Sequence, residues 1–233
     1  MLDGENVVVI ENLCKKFIFV KALDNISLTI ARGEHCLLIG PNGSGKSTLI
    51  KILLGLIKPT KGKVRVLGCN PFKEFRILKG RIGALLDDFN PPWWVSGREF
   101  LRHASIVKGV KWDDVIELAR EFNVLSYWHR LIGTYSVGMK KRIGLIQAIM
   151  GNPELIILDD PFTGLDHRSR GKLIKVLREV EDESTIIVST HILFGLEKIA
   201  KRAVILDGGR KIAEGPINNI LKIALKYGVI SGL

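Results

Sequence analysis

Short hydrophobic segments, separated by turn residues and amphipathic stretches, follow one another along most of this chain. Apolar or alternating segments of this length predict β-strands, and apolar positions that recur every three to four residues predict helices. The segment Cys36–Ile39 is apolar throughout, which is typical of a strand buried on both faces of a parallel sheet. Further strands are predicted at Val7–Ile10, Ile26–Ile30, Val64–Val66, Ile82–Leu86, Leu155–Leu158, Thr185–Val188 and Ala203–Leu206.

The middle third of the chain has a helical pattern instead. Ser96 and Glu99 form a capping-box sequence ahead of a one-sided apolar stripe, so a helix is expected to begin there. Outside this third, helices alternate with the predicted strands, which indicates an α/β core that carries a helical insertion. Besides the helix that begins at Ser96, helices are predicted at 46–54, 112–122, 136–150, 169–180 and 193–200.

Composition and charge exclude several classes of protein. The chain has 233 residues, of which 46% are hydrophobic and 25% charged, as in a globular protein with a packed core. No apolar stretch is long enough to predict a membrane-spanning helix, and the acidic start is unlike a signal peptide. Three cysteines without metal or disulfide spacing favour a reducing cytosol. The net charge of +11 is compatible with nucleic acid, anionic lipid or a solvated surface.

A glycine-rich segment between a predicted strand and a predicted helix matches the phosphate-loop pattern. Its glycines allow backbone N–H groups to surround phosphates, and the helix that follows adds its positive N-terminal end. The Lys46 ammonium would contact the phosphates and the Ser47 hydroxyl would ligate Mg²⁺, so the segment predicts nucleotide binding, with a chance glycine-rich turn as the alternative. The predicted nucleotide-binding residues are Gly40, Pro41, Asn42, Gly43, Ser44, Gly45, Lys46, Ser47 and Thr48.

Two carboxylates end the buried strand predicted at Leu155–Leu158. Asp159 is expected to hold Mg²⁺ through water, and Asp160 to orient or deprotonate the water that attacks the terminal phosphate. A plain strand end followed by an acidic turn is the alternative interpretation. The phosphate loop earlier in the chain favours the catalytic one.

These motifs and three others occur in the same order as in the ATP-binding cassette (ABC) ATPase family, which the chain resembles over nearly its full length. The resemblance implies a phosphate-loop NTPase core (1–86 and 151–233) with a mostly parallel sheet and an N-terminal antiparallel β region. It also implies an inserted helical subdomain at 87–150, within a single nucleotide-binding domain. The remaining matches are Tyr135–Met139 (signature motif), Thr163–Asp166 (D-loop), Ser189–His191 (switch histidine) and, more weakly, Phe17 (adenine-stacking aromatic).

The resemblance also implies a head-to-tail dimer that holds two ATP molecules between its chains. Ser136 and Gly138 would bind the γ-phosphate of the ATP held by the other subunit, at a helix N-terminus suited to anions. His191 would contact the γ-phosphate within its own chain, and Asp166 would lie at the dimer junction. Taken alone, Ser136 and Asp166 are also compatible with ordinary helix caps, and His191 with a satisfied buried residue.

By the same resemblance, the chain is expected to be an ATP-hydrolysing subunit that drives a separate membrane permease. It would pair with an identical or different ABC subunit and lie on the inner face of the cell membrane, with no nucleic acid as partner. Two alternatives are a soluble ABC ATPase acting on nucleic acid, ribosomes or cofactor assembly, and a weakly hydrolysing subunit of a heterodimer.

Three positions depart from the family pattern. Asp160 stands where the family has Glu, and the shorter side chain predicts slow hydrolysis unless the backbone adjusts. Asp87 or Asp88 stands where the family has a Gln that contacts Mg²⁺ and couples to the membrane partner. A carboxylate there would also ligate Mg²⁺, unless it does not reach the site. Val137 departs within the signature motif, whereas Gly138 is kept and still permits close approach to a phosphate.

Two adjacent tryptophans follow this acidic pair. Trp93 and Trp94 come after two prolines, and they predict a rigid, exposed apolar patch of the kind that contacts another protein. By resemblance, the membrane subunit would dock there. The alternative is that one of the two indoles fills the core of the helical subdomain.

Overall fold

The computed structural model describes residues 6–180, 184–191 and 195–226, which contain nine β-strands and seven α-helices. The strands are β1 (Asn6–Lys16), β2 (Lys21–Ala31), β3 (His35–Ile39), β4 (Lys61–Val66), β5 (Ile82–Leu85), β6 (Leu155–Asp159), β7 (Thr185–Thr190), β8 (Arg202–Asp207) and β9 (Arg210–Pro216). The helices are α1 (Lys46–Leu53), α2 (Phe75–Leu78), α3 (Gly97–Lys108), α4 (Trp112–Glu121), α5 (Val137–Ile149), α6 (His167–Glu179) and α7 (Ile217–Lys226).

The strands form two sheets. β1 pairs antiparallel with β2 and β4 in a three-stranded sheet. The second sheet has the order β5-β6-β7-β3-β8-β9, in which β9 is antiparallel to β8 and the other neighbours are parallel. Only β7 separates β3 from β6, so the carboxyl ends of these two strands lie close together at one edge, where open α/β sheets bind ligands.

The mostly parallel sheet is covered on both faces, which explains its continuous apolar strands. In β3, Leu38 packs with Leu49 of α1 and with the antiparallel sheet. Its neighbours Leu37 and Ile39 point to the opposite face, where they join a cluster that includes Leu173 of α6. Successive side chains of a strand alternate between faces, so one short strand contributes to both halves of the core.

Helix α5 lies directly against β5. A Cβ atom on Gly83 would come within 1.8 Å of the Ala148 carbonyl oxygen, and one on Gly144 would lie 2.6 Å from the Leu85 side chain. These contacts require glycine on both elements, because any larger residue would separate helix from strand. The start of α5, which carries Ser136 as its N-cap, therefore has a defined position relative to the sheet.

Most predicted elements are confirmed, including the Ser96 capping box and the α/β class with its antiparallel sheet. The helix predicted at 193–200 is wrong over the described residues. Only a short 3₁₀ helix occurs, at Leu196–Lys198, because Gly195 adopts a left-handed φ of 82° that interrupts an α-helix. Residues 193 and 194 of that prediction lie outside the described residues. α3, α4 and α5 all lie between 87 and 150, and the subdomain bounds themselves stay a prediction.

Candidate active site

The phosphate loop joins β3 to α1 in a conformation that only glycine adopts without strain at two positions. Gly43 and Gly45 have φ values of 79° and 104°, in the left-handed region. A Cβ atom on Gly45 would also lie 2.7 Å from the Ala22 carbonyl oxygen. The chain can therefore turn tightly into α1, and the free N–H groups at the start of this helix open on the loop.

Lys46 bends back over the loop that carries it. Its ammonium donates hydrogen bonds to the carbonyl oxygens of Gly40 at 2.7 Å and Pro41 at 2.9 Å. Burial lowers the pKa of Lys46, and the Asp159 and Asp160 carboxylates nearby oppose that shift. A cation held in this way is well placed for a polyanionic ligand.

The loop borders a cavity of about 340 Å³ that also receives the predicted carboxylates. Asp87, Asp159 and Asp160 line it together with the residues of the loop from Asn42 onward. Gly40 and Pro41 do not line the cavity, and their carbonyl oxygens accept the hydrogen bonds of Lys46 instead. The residues from the loop are Asn42, Gly43, Ser44, Gly45, Lys46, Ser47 and Thr48.

Asp159 is suited to a divalent cation. It ends β6 at 2% exposure, and its Oδ1 accepts a hydrogen bond from the Ser189 hydroxyl. Its buried Oδ2 has no hydrogen-bond partner among the residues that the structure describes. A buried carboxylate oxygen without a partner is costly unless a cation or water satisfies it. Together with the Ser47 hydroxyl, the carboxylate forms the oxygen-rich environment that Mg²⁺ prefers.

Asp160 is held in place by its neighbours. Its backbone has a left-handed φ of 46°, and its N–H donates to Ser189 on β7 at 3.1 Å. Its Oδ2 accepts a hydrogen bond from the Thr163 hydroxyl at 3.0 Å and lies 3.0 Å from His191 Nδ1. The other oxygen, Oδ1, is buried without a partner in the described part of the chain. The geometry thus joins the predicted base to the predicted switch histidine and leaves one oxygen available.

The two acidic residues after β5 point to different helices. Asp88 accepts a hydrogen bond from Lys51 of α1 at 2.7 Å, whereas Asp87 lines the cavity and accepts one from Lys141 of α5 at 3.1 Å. Asp87, rather than Asp88, is therefore the carboxylate at the phosphate loop. Whether Asp87 ligates Mg²⁺ stays a prediction.

The signature residues lie apart from this cavity. Ser136 is the N-cap of α5, where its hydroxyl accepts a hydrogen bond from the Met139 N–H at 3.3 Å. Gly138 is pressed against the D-loop, since a Cβ atom there would lie 2.6 Å from the Gly164 carbonyl oxygen. Neither Ser136 nor Gly138 lines the cavity of its own chain. Their binding of a phosphate in another chain stays a prediction.

Asp166 connects the D-loop to the same helix. It caps α6 through a hydrogen bond from the Ser169 N–H at 2.8 Å and forms an ion pair with Arg142 of α5 at 2.6 Å. The Ser169 N–H, with help from Arg142, holds the pKa of Asp166 below its usual value. The cap interpretation is confirmed, and the place of Asp166 at a dimer junction stays a prediction.

Phe17 lies in the turn between β1 and β2. Its N–H donates to the Val20 carbonyl oxygen at 2.8 Å, and the Lys15 ammonium lies 4.8 Å from its ring centre. Val20 lines the phosphate-loop cavity, whereas Phe17 does not. The turn therefore borders the site, while the stacking of adenine on Phe17 stays a prediction.

The adjacent tryptophans are on the surface. Trp93 and Trp94 are 65% and 61% exposed and pack edge to face on each other, with ring centres 5.6 Å apart. The stacked pair of Trp112 and Trp128 occupies the helical insertion instead. The interpretation in which Trp93 or Trp94 fills the subdomain core is therefore wrong, because other aromatic residues do so.

An apolar groove of about 460 Å³ opens between the α1–α2 region and α3. It is lined by apolar side chains from Leu54 to Val107, with Asn90 just before the proline–tryptophan segment. Within the described residues, no helix combines the length and apolar character needed to cross a membrane.

Two contacts of the site carboxylates were not predicted. Thr163 lies three residues after Asp160, a spacing typical of local side-chain hydrogen bonds, so this contact had a signal in the sequence. Lys141 is 54 residues from Asp87 and had no such signal. Only packing of α5 on β5 brings that pair together.

Comparison with known proteins shows similarity to ATP-binding proteins of ABC transporters. The ABC transporter family profile matches residues 23–163. The chain is 36% identical over 217 residues to the ABC transporter ATP-binding protein YdbJ of Bacillus subtilis, covering 91% of this chain and 70% of that protein. It is 32% identical over 221 residues to the bacitracin transport ATP-binding protein BcrA of Bacillus licheniformis, covering 93% and 72%.

Solved structures share the same fold. The ATP-binding subunit of an ABC transporter superposes with a TM-score of 0.84 at 27% identity, covering 97% of this chain and 95% of that one. A dimeric ATP-binding cassette with bound ADP and Pi superposes with a TM-score of 0.83 at 24% identity, covering 90% and 98%. The second likeness concerns the fold alone.

Proposed function

The chain belongs to the ABC transporter family as an ATP-binding protein, and on this premise we propose that it hydrolyses ATP to drive a separate membrane permease. The observation that carries the proposal is the cavity in which the phosphate loop meets Asp159 and Asp160. ATP hydrolysis itself is the activity of the family. The named residues and their roles are our assignment.

In the proposed reaction, the loop N–H groups and Lys46 bind the β- and γ-phosphates of ATP. Ser47 and Asp159, with Asp87 beside them, would hold Mg²⁺, which neutralises phosphate charge when bound. The available oxygen of Asp160 would accept a proton from the attacking water. His191, next to the other oxygen, would keep this carboxylate oriented toward the γ-phosphate.

We propose that a second ABC subunit completes the site. Ser136 and Gly138 carry an anion-binding helix N-terminus but lie away from the cavity of their own chain. A head-to-tail dimer would bring this terminus to the ATP of the other subunit. The residues from 87 to 150 would then act as a helical subdomain that presents the signature motif.

The permease would dock on the helical side of the molecule. Trp93 and Trp94 form an exposed apolar pair, and the apolar groove beside α3 offers a second surface for an inserted segment. A relative is named for bacitracin transport, which agrees with a transport role without indicating the cargo. In this arrangement the chain would lie peripherally on the inner face of the cell membrane.

We also propose that hydrolysis is slow. Asp160 is one methylene shorter than the usual Glu, and its backbone is already held by Ser189. A chain with such a site would also suit a heterodimer with a more active partner. An ABC ATPase that acts on nucleic acid or in cofactor assembly is the other candidate, although no observation on the site favours it.

Equilibrium binding of ATP tests the site. Lys46→Met should lower ATP affinity by about 10- to 10²-fold, since it removes a charge-assisted contact from a desolvated loop. Removal of Mg²⁺ by a chelator should abolish phosphate release. Lys198→Met, an exposed lysine in the 3₁₀ helix, is the matched control. Equal ATP affinity for wild type and Lys46→Met would contradict the proposed site.

Copurification from native membranes tests the partner. A tightly bound polytopic membrane protein is the expected result. Recovery of only soluble proteins or nucleic acid would overturn the transport role while leaving ATP binding intact.

A further inference from the structure

The loop that joins β1 to β2, residues 17–20, consists entirely of apolar residues and lies on the surface. Ile18 and Phe19 are 83% and 94% exposed, and Val20 is 60% exposed. The Phe17 N–H donates to the Val20 carbonyl oxygen at 2.8 Å, so the loop is closed at its base and carries Ile18 and Phe19 at its tip. Adjacent large apolar side chains with this exposure are costly in water, and they favour contact with an apolar partner.

Lysines lie at the base of this loop. Lys16 and Lys21 pair across the hairpin where β1 ends and β2 begins. The Lys15 ammonium lies 4.8 Å from the centre of the Phe17 ring and donates a hydrogen bond to the Lys58 carbonyl oxygen at 2.9 Å. The apolar tip is therefore flanked by cations from both strands and from the segment before β4.

The two chain segments that meet here carry positive charge only. Residues 12–23 and 55–73 contain eight Lys or Arg residues and no Asp or Glu, and pairing of β4 with β1 places the second segment beside the first. The nearby carboxylates are Asp24, which forms ion pairs with Lys21 and Arg210, and Glu11, which lies opposite Lys63 in the register. The surface around the loop keeps an excess of positive charge. Its cations are Lys15, Lys16, Lys21, Lys58, Lys61, Lys63, Arg65 and Lys73.

The exposed tryptophan pair has a different electrostatic setting. Residues 87–99, which include Trp93 and Trp94, contain three carboxylates and one arginine. A negatively charged surface would be repelled there and attracted at the β1–β2 loop. These two exposed apolar surfaces therefore fit different partners.

We propose that the β1–β2 loop binds an anionic lipid bilayer, with Ile18 and Phe19 inserted and the flanking lysines on the headgroups. Apolar side chains enter the boundary between headgroups and acyl chains, while lysine stems let their ammonium groups stay in the headgroup layer. An acidic protein segment would match the lysines but leave the tip in water, and a zwitterionic bilayer would accept the tip but not the charge. This contact goes beyond the proposed function, because it belongs to the chain itself and requires neither ATP nor a permease.

Cosedimentation of the purified chain with lipid vesicles tests the contact. The probes are vesicles of phosphatidylcholine and phosphatidylglycerol in equal parts, and vesicles of phosphatidylcholine alone. Without nucleotide, the wild-type chain should bind the mixed vesicles at least about tenfold more strongly than the neutral ones, because several lysines each gain from the negative surface. Binding to the mixed vesicles should weaken as salt is added, since screening shortens the reach of these charges.

Variants of the tip and of the lysines separate the two contributions. Ile18→Ser combined with Phe19→Ser should lower binding to the mixed vesicles by at least about tenfold, because it removes the inserted side chains. Lys16→Gln combined with Lys61→Gln should lower it by roughly 10- to 30-fold, at about fivefold for each cation. Phe19→Leu should retain binding, because it keeps an apolar side chain at the tip.

Matched controls lie elsewhere on the surface. Ile106→Ser, at an exposed isoleucine of α3, and Lys111→Gln combined with Lys198→Gln, at two exposed lysines, should bind the mixed vesicles like wild type. The variant with both serines at the tip should match wild type in its unfolding midpoint and ATP affinity, because both replaced side chains are exposed.

Three results would overturn the proposal. They are absence of vesicle binding by wild type, equal binding of wild type to both kinds of vesicle, and full binding by the variant with both serines at the tip. Loss of binding in the lysine variant alone would also overturn it, since the surface would then be a general polyanion site. If wild type binds the mixed vesicles but not ATP, the proposed function fails while this inference stands.

Discussion

Lengthening the Asp160 side chain is the most direct test of the proposed chemistry. Asp160→Glu adds one methylene, which extends the carboxylate by about 1.5 Å. In the structure, Oδ2 of Asp160 is held by Thr163 and lies 3.0 Å from His191, while Oδ1 is buried and without a partner among the described residues. The longer side chain would bring the carboxylate closer to a water on the γ-phosphate.

The expected magnitude follows from this reach. A misplacement of about 1 Å in a catalytic group costs roughly 10²-fold in rate, which is about 2.7 kcal/mol in the barrier. We therefore expect Asp160→Glu to raise kcat by ten- to a hundredfold, in order of magnitude. The left-handed φ of 46° tolerates Asp better than Glu, so the same change should lower the free energy of unfolding by about 1 kcal/mol. This backbone strain is the same in the enzyme–ATP complex and in the transition state, so it cancels in the activation free energy and does not change kcat.

Phosphate release at saturating ATP and Mg²⁺ measures the first effect, and denaturant unfolding measures the second. Asp160→Asn is the control, because it keeps the size of the side chain but removes the base, and its turnover should fall well below that of wild type. If Asp160→Glu binds ATP normally and its turnover is unchanged or lower, the reasoning is refuted. The backbone at Asp160 would then already place the shorter carboxylate within range.

Two further predictions concern the frame of the site. Gly83→Ala should lower the free energy of unfolding by about 3 kcal/mol, because its Cβ would clash with the Ala148 carbonyl oxygen. Gly171→Ala in α6 should raise the free energy of unfolding by about 0.5–1 kcal/mol, because there is open space around this position. Both are measured by denaturant unfolding, and a smaller loss for Gly83→Ala than for a surface change would contradict the packing. Burial lowers the pKa of Lys108 to about 8, so the folded chain releases this proton at a lower pH than the unfolded chain does. The free energy of unfolding should therefore rise with pH between about 8 and the usual pKa of lysine. Relative to Lys108→Met, the wild-type free energy of unfolding should gain roughly 2 kcal/mol from pH 8 to 10, and a constant difference between the two would contradict it.

Local patterns were sufficient for much of the fold. The apolar strand before the phosphate loop, the Ser96 capping box and the N-cap at Ser136 each depend on residues that are close in the sequence. Their backbone conformation is dictated by neighbours within a few positions. The same holds for Gly45, whose left-handed conformation follows from the phosphate-loop pattern.

Two elements of the fold, β9 and α7, were not predicted from the sequence. β9 is a polar edge strand with partly exposed residues, so it lacks the hydrophobic alternation that identifies a strand. β9 is a strand because it pairs antiparallel with β8, a contact that its own sequence pattern does not predict. α7 carries an apolar repeat at Ile217, Ile220 and Ala224, all buried, with the three- to four-residue spacing of an amphipathic helix.

The sequence by itself determined that the chain has a phosphate loop, a carboxylate pair after a buried strand and the motif order of an ABC ATPase. Only the tertiary structure decided that Asp87 and not Asp88 enters the cavity, and that Lys141 is its partner. The reason is physical, since two adjacent carboxylates have the same local pattern and differ only in what packs beside them. Here α5 offers a buried ammonium to Asp87, and α1 offers Lys51 to Asp88.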